Sequence, residues 1–574
     1  MEVNKPGPGW ANDWPGLMEW ELDRLRERDK FVEIDQGELL RGVLQVRLRW
    51  PVGKDFVPIE AIFPDTYPFM RPQVLLRSPR DSWPERHINP IDGTICLLGR
   101  DGAQWSCGYH LAELLDRQLE NALTGQGAED PQAEPVDVWW NGLNKWPHSY
   151  CLIDSNWNIG DEPRGRLDFH YMVEQQPGSE TPSMRGVVRR VLAEDGRVLA
   201  SWDGPLPVEL SQAKGRLSIP WARSETPILP REPVGNQIFD LRKTNFAGPG
   251  KAASIGPKLS VRPFAFLHPM EDLGGGPRLG WIVGMDWGNP RVFDGRPHII
   301  PINFLPVLRG GASDLHHRVP DNAALHGKTV AVVGVGAIGA PIAIELARNG
   351  VASLRVIDHD IVEPGNSVRW PLGASSWGVP KTEALKAHLN VHYPGCEVVS
   401  VVHQLGNVSA SDNDVLEQLL NCADLVVDAS ASGSVNHLLW HRCTTRGIPL
   451  VKVAATPTLG GGTVVRHVAG GGCPACLQWA REDDEGVPTP PGSDQNFVGL
   501  QPPGCGERTF AGGDYDLLEL SLQTVRVCVR TLREAAPAAF VQTLTLRSEP
   551  AAEALPQWQE HALPAHPNCC AKPA

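Results

Sequence analysis

The sequence predicts a multidomain α/β protein, and three observations lead to this fold class. The chain has 574 residues, which is too many for one hydrophobic core. Its first 130 residues or so mix helix-like and strand-like patterns, as in an α+β domain. From about residue 320, apolar strands alternate with helical segments, as in a Rossmann-like parallel sheet. We therefore divide the chain into an N-terminal domain (1–130), a mixed linker domain (131–319) and a C-terminal domain (320–574).

Composition and charge exclude several classes of protein. Hydrophobic residues make up 41% of the chain and charged residues 21%, which is ordinary for a globular protein. The net charge of −14 argues against a general nucleic-acid binder. No run approaches the ~18 apolar residues of a membrane span, and the N-terminus lacks the apolar core of a signal peptide. The 12 cysteines are too sparse for a disulfide framework, so we expect a cytoplasmic protein with reduced thiols.

Periodicity in the N-terminal domain predicts a helix, three strands and a closing helix. These elements are expected at residues 14–30, 39–50, 56–63, 73–77 and 111–123. A turn rich in proline and aromatic residues, at 63–72, separates the second and third strands.

Cys96 is the candidate nucleophile of this domain. It ends a Gly-Thr-Ile-Cys element that follows a His-Ile-Asn element containing Asn89, and Trp105 comes next. Together with the FPxxYPxxxP turn, this order resembles the ubiquitin-conjugating enzymes, although that family has His-Pro-Asn. The resemblance implies that Cys96 accepts an acyl group as a thioester, and that the Asn89 amide stabilises the oxyanion when an amine attacks. Without this context, a lone cysteine at a strand end is more commonly a buried apolar residue.

The linker domain carries no motif that points to chemistry. It is rich in Trp, Pro and Gly, and apolar runs at 187–201 and 264–285 predict strands. We interpret it as a structural domain, and a docking surface for a partner protein is the alternative.

A glycine-rich turn opens the C-terminal domain. The apolar run Thr329–Val333 predicts a buried strand, and Gly334, Gly336 and Gly339 follow it at the start of a helix. Such glycines let the backbone approach phosphates at a helix N-terminus. The next apolar run ends on Asp358, where an acid can hold a ribose hydroxyl. This pattern alone is also compatible with an NAD-dependent oxidoreductase.

The residues that follow favour adenylation over hydride transfer. Asp360, Asn366, Arg369 and Lys381 come within 23 residues of Asp358. The two basic side chains can neutralise the charge that develops when a carboxylate attacks the α-phosphate of ATP. Hydride transfer has no evident use for them.

This series resembles the ThiF, MoeB and ubiquitin-activating family of adenylating enzymes. The resemblance implies ATP and Mg²⁺ as cofactors. It also implies that Asp428, at the end of a later apolar strand, helps to hold the Mg²⁺. The family motif is close to DxTDN, and its second acid is absent here.

Cysteines after Asp428 predict a metal site and a second nucleophile. Cys473 and Cys476 form a CxxC pair, and a second pair, Cys569 and Cys570, follows more than ninety residues later. This layout is typical of a tetrahedral structural zinc site. The sequence leaves open whether His566 or water completes the shell, and whether the site is vestigial and binds no metal.

Cys505 lies in a loop rich in glycine and proline, which has little apolar surface to bury a thiol. The resembled family places the thiol that captures the adenylated carboxylate in this region, and flanking glycines permit the loop to move. Cys422 and Cys443 lie in apolar, helix-like contexts and are predicted to be core residues.

The two resemblances together imply a relay in which Cys505 and then Cys96 carry the acyl group to an amine. The order of the domains is similar to that of bacterial fusion proteins associated with CD-NTases in CBASS anti-phage operons. It implies that the acyl donor is the C-terminus of a cGAS/DncV-like nucleotidyltransferase. The resemblance to the adenylating family, whose members pair through this domain, implies a homodimer. A ubiquitin-like modifier as the donor stays open, as does a sulfur-carrier adenylyltransferase whose N-terminal domain is a binding module.

Overall fold

The computed structural model divides the chain into two compact units, residues 1–202 with 212–310 and residues 203–211 with 311–574. Cys505 and Cys570 lie outside the residues that the structure describes. No helix among the described residues is long and apolar enough to cross a bilayer. The described residues are 7–79, 82–84, 87–97, 105–124, 140–174, 181–230, 234–246, 252–256, 259–272, 276–287, 302–406, 411–483, 486–493, 512–547 and 555–569.

A four-stranded antiparallel sheet with helices at both ends of its sequence forms the N-terminal region. The helices are α1 (Gly9–Asp13), α2 (Leu17–Arg26), α3 (Gln36–Leu40) and α4 (Leu111–Thr124), and the strands are β1 (Glu33–Ile34), β2 (Gln45–Val52), β3 (Asp55–Ile62) and β4 (Gln73–Leu76). The strands pair in the order β1–β2–β3–β4. Alternate residues of β2, such as Leu48 and Trp50, are buried against α2 and α4.

The strand predicted at 39–50 begins six residues late, at Gln45, because a helix precedes it. Asp35 caps this helix by accepting the backbone N–H groups of Gly37 and Glu38 at 3.0 and 3.1 Å. The helix predicted at 14–30 covers only Leu17–Arg26. It begins at Leu17 because Gly16, with a φ of +90°, is its N-cap.

Ten strands of the described residues form one sheet in the middle region. They are β5 (Tyr150–Ile153), β6 (Arg164–Glu174), β7 (Ser183–Ala193), β8 (Val198–Ser201), β9 (Gly215–Arg223), β10 (Ala253–Gly256), β11 (Leu259–Asp272), β12 (Gly276–Trp287), β13 (Ile302–Leu305) and β14 (Val307–Arg309). Helix α5 (Val208–Ser211) belongs to the second unit, and α6 (Val234–Asn245) to the first. The run predicted at 187–201 forms two strands, because a turn at Gly196, with a φ of +89°, separates β7 from β8.

The C-terminal unit confirms the predicted Rossmann-like alternation. Its strands are β15 (Thr329–Val333), β16 (Ser353–Asp358), β17 (Glu397–Val402), β18 (Leu425–Asp428), β19 (Leu450–Ala455), β20 (Gly461–His467), β21 (Phe540–Thr545) and β22 (Gln557–Ala562). They pair in the order β17–β16–β15–β18–β19–β20–β21–β22, parallel as far as β19 and antiparallel beyond it.

Helices cover both faces of this sheet. They are α7 (Ala312–His316), α8 (Gly339–Arg348), α9 (Lys381–His392), α10 (Asp412–Leu420), α11 (Gly433–Thr444), α12 (Pro474–Glu482) and α13 (Asp514–Arg533). Helices α8, α9 and α13 pack on one face and α10 and α11 on the other. Because β15 is a parallel neighbour of both β16 and β18, the carboxyl ends of these three strands meet at one edge of the sheet. Open α/β sheets bind their ligands at this edge.

Candidate functional site

The glycine turn between β15 and α8 leaves open space beside its backbone. Gly334 has a φ of +81°, and a Cβ there would lie 2.7 Å from the Ala429 carbonyl oxygen, so the fold requires glycine at this position. A Cβ at Gly339 would lie 1.9 Å from the Gly334 carbonyl oxygen. By contrast, a Cβ at Gly336 would meet nothing within 4 Å. The turn therefore offers an approach for a phosphate group close to the N-terminus of α8.

Asp358, the last residue of β16, holds the glycine turn in place. Its Oδ2 accepts the Val335 N–H at 2.8 Å, and its Oδ1 accepts the Asp360 N–H at 2.9 Å. Each carboxylate oxygen has a second lone pair, so Asp358 can still accept a hydrogen bond from a ribose hydroxyl.

Lys381, the first residue of α9, is fixed to Asp360. The Lys381 Nζ lies 2.8 Å from Asp360 Oδ2, and the Lys381 N–H donates to the Asp360 carbonyl oxygen at 2.9 Å. The lysine side chain is 11% exposed and that of Asp360 is 51% exposed. The ion pair therefore leaves one face of the acid open to solvent.

Asn366 and Arg369 lie on the segment between these acids and α9. Asn366 Oδ1 accepts the Glu363 N–H at 3.1 Å, which caps the short 3₁₀ helix Pro364–Val368. The Arg369 N–H donates to the Asn366 carbonyl oxygen at 2.9 Å. Asn366 thus acts in this structure as a helix cap that sets the backbone position of Arg369.

Sequence reasoning missed Trp370, which attaches this segment to the glycine turn. Its buried indole Nε1–H donates to the Val335 carbonyl oxygen at 2.9 Å. The sequence feature that could have indicated this role is a large side chain with a single hydrogen-bond donor directly after Arg369. Such a residue needs both apolar packing and one acceptor.

Asp428 ends β18 with one carboxylate oxygen satisfied and the other bare. Oδ1 accepts the N–H of Ser430 at 3.1 Å and its hydroxyl at 2.6 Å. Oδ2 is buried and has no hydrogen-bond partner among the described residues. An unpartnered buried carboxylate oxygen is costly, and a hard divalent cation is a natural partner for it. The side chain therefore fits the Mg²⁺ that an ATP site needs.

Lys452 is a second residue that sequence reasoning missed. It lies on β19 directly beside Asp428, its register partner on β18. Burial lowers the pKa of its ammonium group, and the Asp428 carboxylate opposes this shift. A lysine inside the apolar run Leu450–Ala455 was the available signal.

Three buried cysteines meet in the C-terminal unit as a metal site requires. Cys473 Sγ lies 3.5 Å from Cys476 Sγ and 3.8 Å from Cys569 Sγ. Sulfurs at ~2.3 Å from one tetrahedral Zn²⁺ are separated by about 3.8 Å, so these distances fit zinc. The three residues therefore form a candidate structural site, and Cys570 lies outside the described residues.

The ring of His566 is held by partners other than the cysteine cluster. Its Nδ1 accepts the Asn568 N–H at 3.2 Å, and its Nε2 lies 3.0 Å from Asp483 Oδ2. Because both ring nitrogens have other partners, the structure does not support His566 as the fourth ligand. Its backbone N–H instead donates to Cys476 Sγ at 3.3 Å, which is a typical way to stabilise a thiolate.

A tight hairpin positions Asn89 and Cys96 in the N-terminal region. The Asn89 N–H donates to the Thr94 carbonyl oxygen at 2.8 Å, and the Cys96 N–H donates to the His87 carbonyl oxygen at 2.7 Å. Asn89 Oδ1 accepts the Ile91 N–H at 2.9 Å, which turns the amide oxygen into the hairpin and leaves Nδ2 as its donor group.

The exposure of the cysteines separates reactive from structural candidates. Cys96 is partly exposed, whereas Cys443 is buried as predicted. Burial raises the pKa of the Cys443 thiol to about 12, which makes it a poor nucleophile. The prediction of a core position for Cys422 is wrong. This residue is exposed, with a φ of +55°, because it lies in the turn that follows α10.

The chain is similar to a known protein family and to several known proteins. Residues 316–502 match the model of the ThiF family. The uncharacterized protein y4qC of Sinorhizobium fredii is 37% identical over 560 residues, which cover 93% of each chain. The adenylyltransferase and sulfurtransferase MOCS3 of Arabidopsis thaliana is 31% identical over 182 residues, which cover 30% of this chain and 36% of that protein. A crystal structure of E. coli MccB with ATP matches 44% of this chain and 68% of MccB, with a TM-score of 0.32 and 16% identity.

Proposed function

We propose a function for this chain from the premise that it belongs to the family of the Sinorhizobium fredii protein y4qC and carries a ThiF-family domain at residues 316–502. The protein uses ATP to adenylate the C-terminal carboxylate of another protein, and it passes the acyl group through two cysteines to an amine. One observation carries the first half of this proposal. Inside the ThiF segment, a glycine turn with open space beside Gly336 lies at the same sheet edge as Asp358 and the bare oxygen of Asp428.

The adenylation step uses the residues at this edge. A carboxylate oxygen of the acyl donor attacks the α-phosphorus of ATP, the bond to the β-phosphate breaks, and pyrophosphate leaves. Arg369 and Lys381 offset the negative charge that develops on the phosphates. Asp358 holds the ribose, and Asp428 would hold Mg²⁺, which supplies further positive charge beside the phosphates when it is bound.

Two thiols then conserve the activation. The Cys505 thiolate attacks the acyl carbon and AMP leaves. The Cys96 thiolate attacks this thioester and the Cys505 thiolate leaves. Finally an amine attacks the thioester on Cys96, loses a proton and releases the Cys96 thiolate, while the Nδ2 of Asn89 donates to the oxyanion. The partial exposure of Cys96 and the inward turn of the Asn89 oxygen support these two roles.

The acyl donor in this proposal is the C-terminus of a cGAS/DncV-like nucleotidyltransferase, and the acceptor is a protein lysine or a small amine. The order of the two catalytic domains in the chain supports this donor. A bacterial ubiquitin-like protein would present the same terminal carboxylate, so both proteins belong in the test. The enzyme is proposed to act as a homodimer.

A second candidate function is supported by the likeness to MOCS3, which is an adenylyltransferase and sulfurtransferase. In that case the chain adenylates a sulfur-carrier protein, and the N-terminal domain only binds a partner. The two functions differ in what Cys96 does, because only the conjugation relay needs its thiol.

A non-reducing gel with ATP, Mg²⁺ and a purified nucleotidyltransferase or ubiquitin-like protein tests the proposal. We expect an ATP-dependent adduct that a thiol reductant removes and that Cys505→Ala abolishes. In Cys96→Ala the adduct should be weakened or confined to the adenylating half. Cys107→Ala is the matched control, since Cys107 is an exposed thiol of the same domain as Cys96. ATP–pyrophosphate exchange that survives Cys96→Ala with full product formation would support the sulfur-carrier function. No exchange with any protein carboxylate would overturn both.

A further inference from the structure

A group of polar side chains beside Asp428 is not used by the proposed adenylation chemistry. Asp428 and Lys452 are register partners on β18 and β19, and Lys452 is in turn the partner of Val465 on β20. His467 lies two residues beyond Val465 and therefore on the same sheet face. This face is otherwise apolar, since Leu439 and its neighbours pack on one side and Ala480 and its neighbours on the other.

The helices that cover this face add hydrogen-bond donors without acceptors. Helix α11 contributes Asn436, which is 1% exposed, and Trp440, and α12 contributes Arg481. The Asn436 Nδ2, the Trp440 Nε1, and the Nε and Nη2 of Arg481 are buried without a hydrogen-bond partner in the described part of the chain. We call Asn436, Trp440, Lys452 and Arg481 the donor cluster. Each unpartnered atom in the donor cluster is a donor, so these atoms lack an acceptor, whereas the Nε2 of His467 on the same sheet face is also buried without a hydrogen-bond partner among the described residues.

The charges around the donor cluster leave an excess of positive charge. Lys452 interacts with both Asp428, which stabilises its ammonium group, and Arg481, which opposes it. His467 donates its Nδ1–H to the Gly472 carbonyl oxygen at 2.8 Å, and burial lowers its pKa to about 4, so it is neutral. Lys452 thus lies near one carboxylate and a second cation in a largely buried setting. A buried charge needs a partner of opposite sign, which makes the missing acceptor an anion.

We propose that the donor cluster binds a carboxylate group of the acyl donor. A carboxylate offers two oxygens, which match the fork of Arg481 and the amide donor of Asn436. The position of Lys452 beside Asp428 brings this carboxylate to the edge of the nucleotide site. Carboxylate binding follows from the donors and charges alone, and only the assignment to the acyl donor rests on the proposed function. The group is either the terminal carboxylate that is activated or an acidic side chain of the donor's tail.

Binding of a small carboxylate to the full chain tests this inference. Trifluoroacetate is the probe, and the ¹⁹F linewidth measures its binding without ATP. Acetate, triglycine, and an aspartate blocked at both ends are the competitors. We expect acetate to displace the probe. Stronger competition by triglycine would identify the terminal carboxylate as the bound group, and stronger competition by the blocked aspartate would identify a side-chain carboxylate. In Lys452→Met and Arg481→Met, the Kd should rise at least about tenfold.

Lys328→Met is the matched control, because Lys328 forms a 2.9 Å ion pair with Asp424 in the same unit and should leave the Kd unchanged. Asn436→Asp keeps the shape of that side chain while it replaces the bare donor by an anion, so it should abolish binding in a folded protein. Two results would overturn the inference. One is that trifluoroacetate does not bind to the wild type, and the other is that it binds equally to all variants, which would make it an adventitious ion only. Pyrophosphate exchange on the same samples tests the proposed function separately.

Discussion

Trp370 donates its indole N–H to the Val335 carbonyl oxygen at 2.9 Å, so the segment that carries Arg369 is attached to the glycine turn. The N–H of the same Val335 donates to Asp358 Oδ2 at 2.8 Å. The Val335 peptide thus links Asp358 and the segment that carries Arg369. Any shift of Val335 moves both groups relative to the space beside Gly336.

Replacing Trp370 by Phe should weaken the use of ATP. The variant keeps an aromatic ring in the core but leaves the Val335 carbonyl without its donor, at a cost of about 1–3 kcal/mol. We expect the KM for ATP in pyrophosphate exchange to rise about 3- to 10-fold. Trp377→Phe is the control, since Trp377 is largely exposed and donates to Ser367 instead. An equal rise in both variants would contradict a positioning role for Trp370.

Lys381→Met should lower the rate of adenylation. The substitution keeps the length of the side chain but removes the cation that is proposed to neutralise the phosphates, and loss of one such group costs about 100-fold or more in rate. The measurement is kcat for pyrophosphate exchange at saturating ATP. Lys328→Met removes a similar ion pair, that of Lys328 with Asp424 at the start of β15, and should keep the wild-type kcat. A Lys381→Met enzyme with unchanged kcat would mean that the ion pair with Asp360 is only structural.

The sequence was sufficient to predict the elements of the C-terminal unit and the residues at its strand ends. Thr329–Val333 is a strand and a helix begins at Gly339, because the apolar run and the glycine turn are local signals. Asp358 and Asp428 lie at one sheet edge, because parallel strands with short connections bring their ends together.

Contacts between distant residues were beyond prediction. The hydrogen bond from Trp370 to Val335 joins residues 35 positions apart. The pairing of Lys452 with Asp428 depends on the register of β18 and β19, which side-chain packing sets. In the middle region, apolar runs did predict strands, but no local signal gives the order in which ten strands pair.

The cysteine cluster should hold about one zinc ion per chain, as measured by plasma mass spectrometry after extensive dialysis. Cys473→Ser should lose the metal and lower the Tm, because burial of the remaining sulfurs without the ion is unfavourable. Cys422→Ser, at an exposed thiol of the same unit, should keep the metal. Loss of zinc in Cys570→Ser would identify Cys570 as the fourth ligand, and a wild type without zinc would contradict the site.

A buried histidine in the middle sheet makes stability depend on pH. His268 on β11 is fully buried, its Nδ1 accepts the Ile228 N–H at 3.2 Å, and burial lowers its pKa from 6.5 to about 4. The unfolded chain therefore binds more protons than the folded one between these two values. The stabilising contribution is complete above pH 6.5 and is lost as the pH falls towards 4, by about 1.4 kcal/mol per pH unit.

His268→Gln should flatten this dependence. Glutamine offers a carbonyl oxygen to the Ile228 N–H but does not titrate. The slope of the free energy of unfolding against pH should therefore lose the contribution of about one proton. Urea titrations at pH 7.0, 6.0 and 5.0 measure that slope, with tryptophan fluorescence reporting on the sheet. His148→Gln changes an exposed histidine of the same unit and should keep the wild-type slope. If the His268→Gln slope equals that of the wild type, protonation of another group governs the acid sensitivity of the unit.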